Sequence, residues 1–280
     1  MRTGKVSFGD VPADTFQAAR QIYNLQNVYL LIGDQFENLY AMVDFASLDT
    51  NKSSNFESIA RLMMVTALQY AELLPDRVAS DATRKRIDWK YALRLPVHHP
   101  GYPPQAMCAF RQGVFGAPQA SAEFERFIGR LQETGLYAHE QQSPLTANNV
   151  LETVCRVSRL NQLHMCMKEA LTALAAAAPN WLLENMPPYW FTRYKTGPLP
   201  QLSFANSQGF EEEALKYGMD MRLLRRALRE KSNPTLEALA EVQQMERVFH
   251  EQFLVVNDLI QWRMTECAHC AGRHQEGYPL

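Results

Sequence analysis

The sequence predicts a mainly α-helical protein, a helical bundle with a helix-turn-helix-like pair followed by a second helical region. Three observations lead there. Apolar residues recur at intervals of three and four, as in Ile59, Leu62, Met63, Ala67, Tyr70 and Leu73, the repeat of one helix face. Helix stops such as Pro75 and Gly135 separate these stretches. Strand-type alternation is rare.

Taken in order, residues 14–31 read as one helix, with Phe16, Ala19, Ile22, Tyr23 and Val28 near helical spacing. Gly33 interrupts it, and Phe36, Leu39, Tyr40 and Val43 start a second. The polar stretch 47–55 reads as a loop. Residues 55–74 form the clearest helix, and Pro75-Asp76 stops it and caps the next, over 77–93. Four prolines in 95–104 (Pro96, Pro100, Pro103 and Pro104) predict an extended connector. Phe124, Phe127, Ile128 and Leu131 mark a helix over 121–134. A long helix or helical pair covers 148–178 and ends in an alanine-rich, strongly helix-forming tract. The chain turns within 180–195 at Pro187-Pro188, and two amphipathic helices follow over 211–231 and 235–253. The expected divisions are an N-terminal domain over 1–95, a second helical region over 105–263 and an irregular tail over 264–280.

Composition narrows the function classes. The 280 residues are 46% hydrophobic and 21% charged, enough for a core and unlike a disordered chain. No run approaches the roughly 20 apolar residues of a membrane span, and Met1 to Asp10 lacks a signal-peptide layout. A cytoplasmic protein without membrane contact is expected. Cys108, Cys155, Cys166, Cys267 and Cys270 are odd in number and scattered, which predicts reduced thiols. The net charge is −2, so nucleic-acid binding has to rest on local basic stripes.

One such stripe is Arg77, Arg84, Lys85, Arg86 and Lys90, with Arg94 just beyond, opposed only by Asp81 and Asp88 within 77–94. On the second helix of a tight pair, these cations can meet phosphates or guanine edges in a major groove. A solvated face of an ordinary helical hairpin carries the same pattern. Trp89 reads as a core anchor of that helix, not a stacking residue. Arg222, Arg225, Arg226 and Arg229 form a second basic stripe, which serves either phosphates or the acids Glu211, Glu212 and Glu213.

The run Leu74-Pro75-Asp76-Arg77, then Arg86-Ile87-Asp88-Trp89-Lys90-Tyr91-Ala92-Leu93, resembles the N-terminal region of bacterial insertion-sequence DDE transposases. The resemblance continues through Pro100-Gly101-Tyr102, Phe110-Arg111, the helix 124–136, and Leu171 to Trp181. It resumes at Pro187-Pro188 with Trp190, Arg193-Tyr194, then Val242 to Phe253 and Trp262-Arg263. It covers roughly 30–263 and implies binding to double-stranded DNA, a nucleoid-associated location and a homodimer. Family members carry the first metal-binding Asp where this chain, aligned through Val150-Leu151, has Thr146. A hydroxyl cannot replace a carboxylate toward paired Mg²⁺ ions, and no Asp or Glu follows Glu276. The resemblance therefore implies a catalytically inactive protein, its nuclease core absent or reduced to a remnant strand near Thr146. The expected function is sequence-directed DNA binding without DNA cleavage, as a regulator or as a subunit of a larger nucleoprotein complex. Two alternatives are a subunit of a split transposase whose core lies on another chain, and a helical protein-interaction module.

Three smaller signals remain. Cys267, His269, Cys270 and His274 suggest a zinc site, but a second C-x-x-C is lacking and a free tail is the simpler reading. No cofactor is expected. His98-His99 reads as a loop pair and His164 as helix packing.

Overall fold

The computed structural model describes residues 8–49, 55–137, 145–195, 207–230 and 234–263. Fifteen helices and two short strands occupy them, as the mainly helical expectation requires. The chain forms two compact units, Met1–Cys155 and Arg156–Leu280.

The first unit opens with α1 (Ala13–Ile22), α2 (Val28–Asp34), α3 (Phe36–Tyr40) and α4 (Phe45–Leu48). The single helix expected over 14–31 is two, because Tyr23 is extended and Asn27 caps a new start by accepting from the Tyr29 N–H. Helix α4 runs two residues into the stretch read as a loop, with the Asp44 side chain accepting from the Ala46 N–H at its start. Then come α5 (Phe56–Glu72), α6 (Asp76–Lys85), α7 (Ile87–Ala92), α8 (Pro104–Phe115) and α9 (Pro118–Glu133). Helix α5 matches its periodicity and starts at the Asn55 cap. The helix expected over 77–93 is broken at Arg86, which is extended (φ −87°, ψ 123°) and joins α6 to α7. Helix α8 was not anticipated. Pro104 opens it, at a helix position where a missing N–H costs nothing.

Helix α7 is wedged against α1 and α2, while α8 packs on α5, α6 and α9. Gly33 makes the α2–α7 approach feasible, since a Cβ there would lie 2.5 Å from the Tyr91 ring and 2.7 Å from the Tyr91 carbonyl. Ala19, Leu30 and Tyr91 are fully buried at this junction. A second nucleus is aromatic. Phe8 and Phe36 meet edge-on, and Tyr40 stacks on Phe127 at 4.7 Å. The Tyr40 hydroxyl donates to the Ala60 carbonyl at 2.6 Å, so burial of the phenol leaves no polar group unmet.

The long helix α10 (Ala147–Ala177) follows, and the first unit ends within it. The second unit comprises the rest of α10, then α11 (Pro179–Asn185), α12 (Tyr189–Arg193), α13 (Ser207–Glu230), α14 (Pro234–Glu237) and α15 (Ala240–Gln252). Strands β1 (Phe253–Val256) and β2 (Leu259–Trp262) pair antiparallel, Phe253 opposite Trp262 and Val256 opposite Leu259. Asn257 and Asp258 both take positive φ (50° and 65°), which suits a two-residue hairpin turn. The Phe253 ring lies on α13 at Gly218, where a Cβ would come within 2.8 Å of it. The Arg159 guanidinium covers the Trp262 ring at 4.1 Å and donates to Gln252 Oε1 at 2.8 Å.

One expectation is corrected. Cys155 and Cys166 are free and buried, but Cys108 is disulfide-bonded, so the thiols are not all reduced. Among the described residues, the strand content is the 253–262 hairpin. At Thr146 there is no strand: its carbonyl accepts from the Val150 N–H and its Oγ1 from the Asn149 N–H, at the start of α10.

Candidate nucleic-acid interface

Helix α5 ends at Leu73, which turns left-handed (φ 51°), and the Leu74 N–H returns to the Gln69 carbonyl at 2.9 Å. Pro75 then sets the extended entry to α6. Asp76, 5% exposed, fixes the turn from inside. It accepts from Gln69 Nε2 at 2.8 Å and from the fully buried Arg111 at 2.5 Å. Buried charges require such pairing. The short turn is therefore anchored by an ion pair beneath it, and the outer face of α6 is set with it.

That outer face holds three of the six expected cations. Arg77 is exposed. Arg84 and Lys85 both pair with Asp81, at 2.6 and 2.8 Å, and their side chains are 55% and 60% exposed. The hydrogen bond from Lys85 is the main cause that holds the Asp81 carboxyl below its ordinary pKa. Val78 is exposed on the same helix.

The other three cations face inward. Arg86 donates to both Asp88 carboxylate oxygens, at 3.1 and 2.7 Å, and to Glu72 at 2.5 Å. Its guanidinium lies over the rings of Tyr29 and Trp89. Burial opposes its charge, and the carboxylates of Asp88 and Glu72 more than offset this and push its pKa up. Lys90, 1% exposed, donates to the carbonyls of Val97 and His99, each at 2.7 Å. Burial lowers its pKa. Arg94 donates to the carbonyls of Gly33 at 3.2 Å and Gly9 at 3.0 Å. Lys90 and Arg94 thus hold backbone in place. Trp89 is fully buried and its indole N–H donates to Glu72 at 2.9 Å, as a core anchor would.

The remaining sequence signals fall as follows. His98 is exposed, whereas His99 Nδ1 accepts from the Gly101 N–H at 3.0 Å. His164 is buried against Tyr194 and Tyr217. The second arginine stripe does not meet the acids 211–213. Arg222 pairs with Asp258, Arg225 and Arg229 with Glu246, and Arg226 with Glu230. Cys267, His269, Cys270 and His274 lie outside the described residues. Among the described residues, no group of three or more His, Cys, Asp or Glu is placed to hold a metal ion. No described helix is long and apolar enough to cross a membrane.

One polar cluster escaped the sequence reading. Asp220, 4% exposed, accepts from Tyr194 at 2.8 Å, Arg193 at 3.1 Å and Tyr189 at 3.2 Å. Burial, followed by the Asp220 charge, raises the Tyr194 pKa far above the ordinary phenol value. The signal was available: Asp220 follows Tyr217 by three and precedes Leu224 by four on α13. An acid at that phase of an apolar face needs donors. Compared with known protein families, curated proteins and solved structures, the chain matches none.

Proposed function

We propose that the chain is a DNA-binding protein derived from an insertion-sequence transposase, without cleavage activity of its own, acting as a regulator or as a subunit of a larger nucleoprotein complex. The observation that carries this reading is α6. It is the second helix of a tightly turned pair, rooted by Asp76 and Arg111, and it turns Arg77, Arg84 and Lys85 outward. Arg77 and Arg84 are two turns apart, about 10 Å along one face. The exposed pairs with Asp81 are worth about 0–1 kcal/mol each, so phosphates can replace them. The transposase-like run around Trp89 supports the same reading, and Thr146 supports the loss of cleavage.

The test is duplex binding, followed by fluorescence anisotropy across a salt series, for the wild type and an Arg77→Ala, Arg84→Ala, Lys85→Ala variant. Binding should weaken steeply with salt, and the log–log slope should fall by roughly 2–3 in the variant, at about 0.9 per lost phosphate contact. Salt-independent binding, or an unchanged slope, overturns the interface. Mg²⁺- or Mn²⁺-dependent cleavage of element-end DNA by the purified chain overturns the inactive assignment. A helical protein-interaction module is the second reading, favoured by the net charge of −2 and the burial of Lys90 and Arg94. A folded chain that binds no duplex at low salt selects it.

A further inference from the structure

A cleft of about 250 Å³ opens between α10, α11 and α12 in the second unit. Leu182, Met186, Trp190 and Phe191 supply apolar lining, together with Tyr194. The lining also includes two lysines, Lys168 and Lys195, and no carboxylate. Neither lysine has an ion-pair partner among the described residues. The wall is preset. The Tyr194 hydroxyl is bound to Asp220, which Arg193 and Tyr189 hold in turn, so little ordering is left for a ligand to bring about.

Each property narrows the ligand. An apolar wall with two unpaired ammonium groups favours an anion that carries an apolar body, since the charge is met and water leaves the wall. The volume lies below the roughly 300–1,000 Å³ of clefts for drug-sized ligands, which suits a small ligand. We propose that this cleft binds a small monocarboxylate with an apolar body, a medium-chain fatty acid or an arylalkanoate, with Lys168 and Lys195 at the carboxylate and Trp190 and Phe191 against the body. The inference does not depend on DNA binding.

The test is isothermal titration of the full chain with octanoate and 4-phenylbutyrate, each beside its neutral amide. The acids should bind saturably, and at least about tenfold more tightly than the amides, since hydrogen bonds to charged groups outweigh neutral ones by about that much. Lys168→Gln with Lys195→Gln should bring the acids down to the amides. Ala175→Trp, at an exposed position on the cleft wall, should abolish both while circular dichroism and the melting temperature stay unchanged. No saturable binding of either acid overturns the proposal. So does equal binding of acid and amide, full binding by the double Gln variant, or full binding by a folded Ala175→Trp.

Discussion

Helices α6 and α7 are neighbours in sequence and read alike, each with cations among apolar residues, yet they use those cations in opposite ways. On α6, Arg84 and Lys85 stand in solvent, held only by an exposed carboxylate. On α7 and just after it, Lys90 and Arg94 are buried and spend their donors on backbone carbonyls. The break at Arg86 separates the two. It resets the helical phase, so α7 is wedged against α1 and α2. A single basic stripe in sequence is thus two features in the fold, one standing in solvent and one structural.

The sharpest way to break that contrast is at the root of α6. Asp76→Ala removes the buried carboxylate from the fully buried Arg111 and should cost about 3–5 kcal/mol, read as a large drop in the denaturant midpoint. A change under about 1 kcal/mol would mean the turn is held by something other than this ion pair. Next in size is Lys90→Met on α7. It leaves the carbonyls of Val97 and His99 without their donor, at about 2–3 kcal/mol in all. Arg84→Ala with Lys85→Ala should stay within about 0.5 kcal/mol. The order should invert for duplex binding. If Lys90→Met, while folded, loses salt-dependent binding as the α6 variant does, the division between the two helices is wrong. Gly33→Ala should cost about 1–3 kcal/mol, because the added methyl collides with the Tyr91 ring and carbonyl of α7. A neutral result would show that α7 can slide off α2.

Helix α5, helix α9 and the long α10 were legible, because each has an apolar face repeating at three and four and a visible stop or cap. The break at Arg86 was not. No Pro or Gly marks it, and Arg86 is held there by a tertiary partner, Glu72 on α5, together with Asp88 two residues on. The hairpin was overlooked although Val255-Val256-Asn257-Asp258-Leu259-Ile260 carries an apolar–turn–apolar pattern. Of the candidate interface, the exposed part on α6 was legible. The inward turn of Lys90 and Arg94 was not, since their carbonyl partners lie on the connector and near the N-terminus, where spacing along α7 carries no information.

The smallest expected effect tests the connector that Lys90 holds. Burial, then Lys90, Arg61 and His98, lowers the His99 pKa, and its Nδ1 must stay unprotonated to accept from the Gly101 N–H. The folded value is thus below the unfolded one of about 6.5. Between the two the unfolded chain binds more protons, so stability rises with pH there. This contribution is complete above about pH 6.5 and fades as pH falls through the folded value. His99→Asn keeps an acceptor for Gly101 but cannot titrate, so its melting temperature should fall less than the wild type's from about pH 7 to about pH 5. His98→Asn, at a side chain 86% exposed, should follow the wild type. Parallel curves for all three would mean that the connector does not sense the charge of His99, and that Lys90 alone keeps it closed.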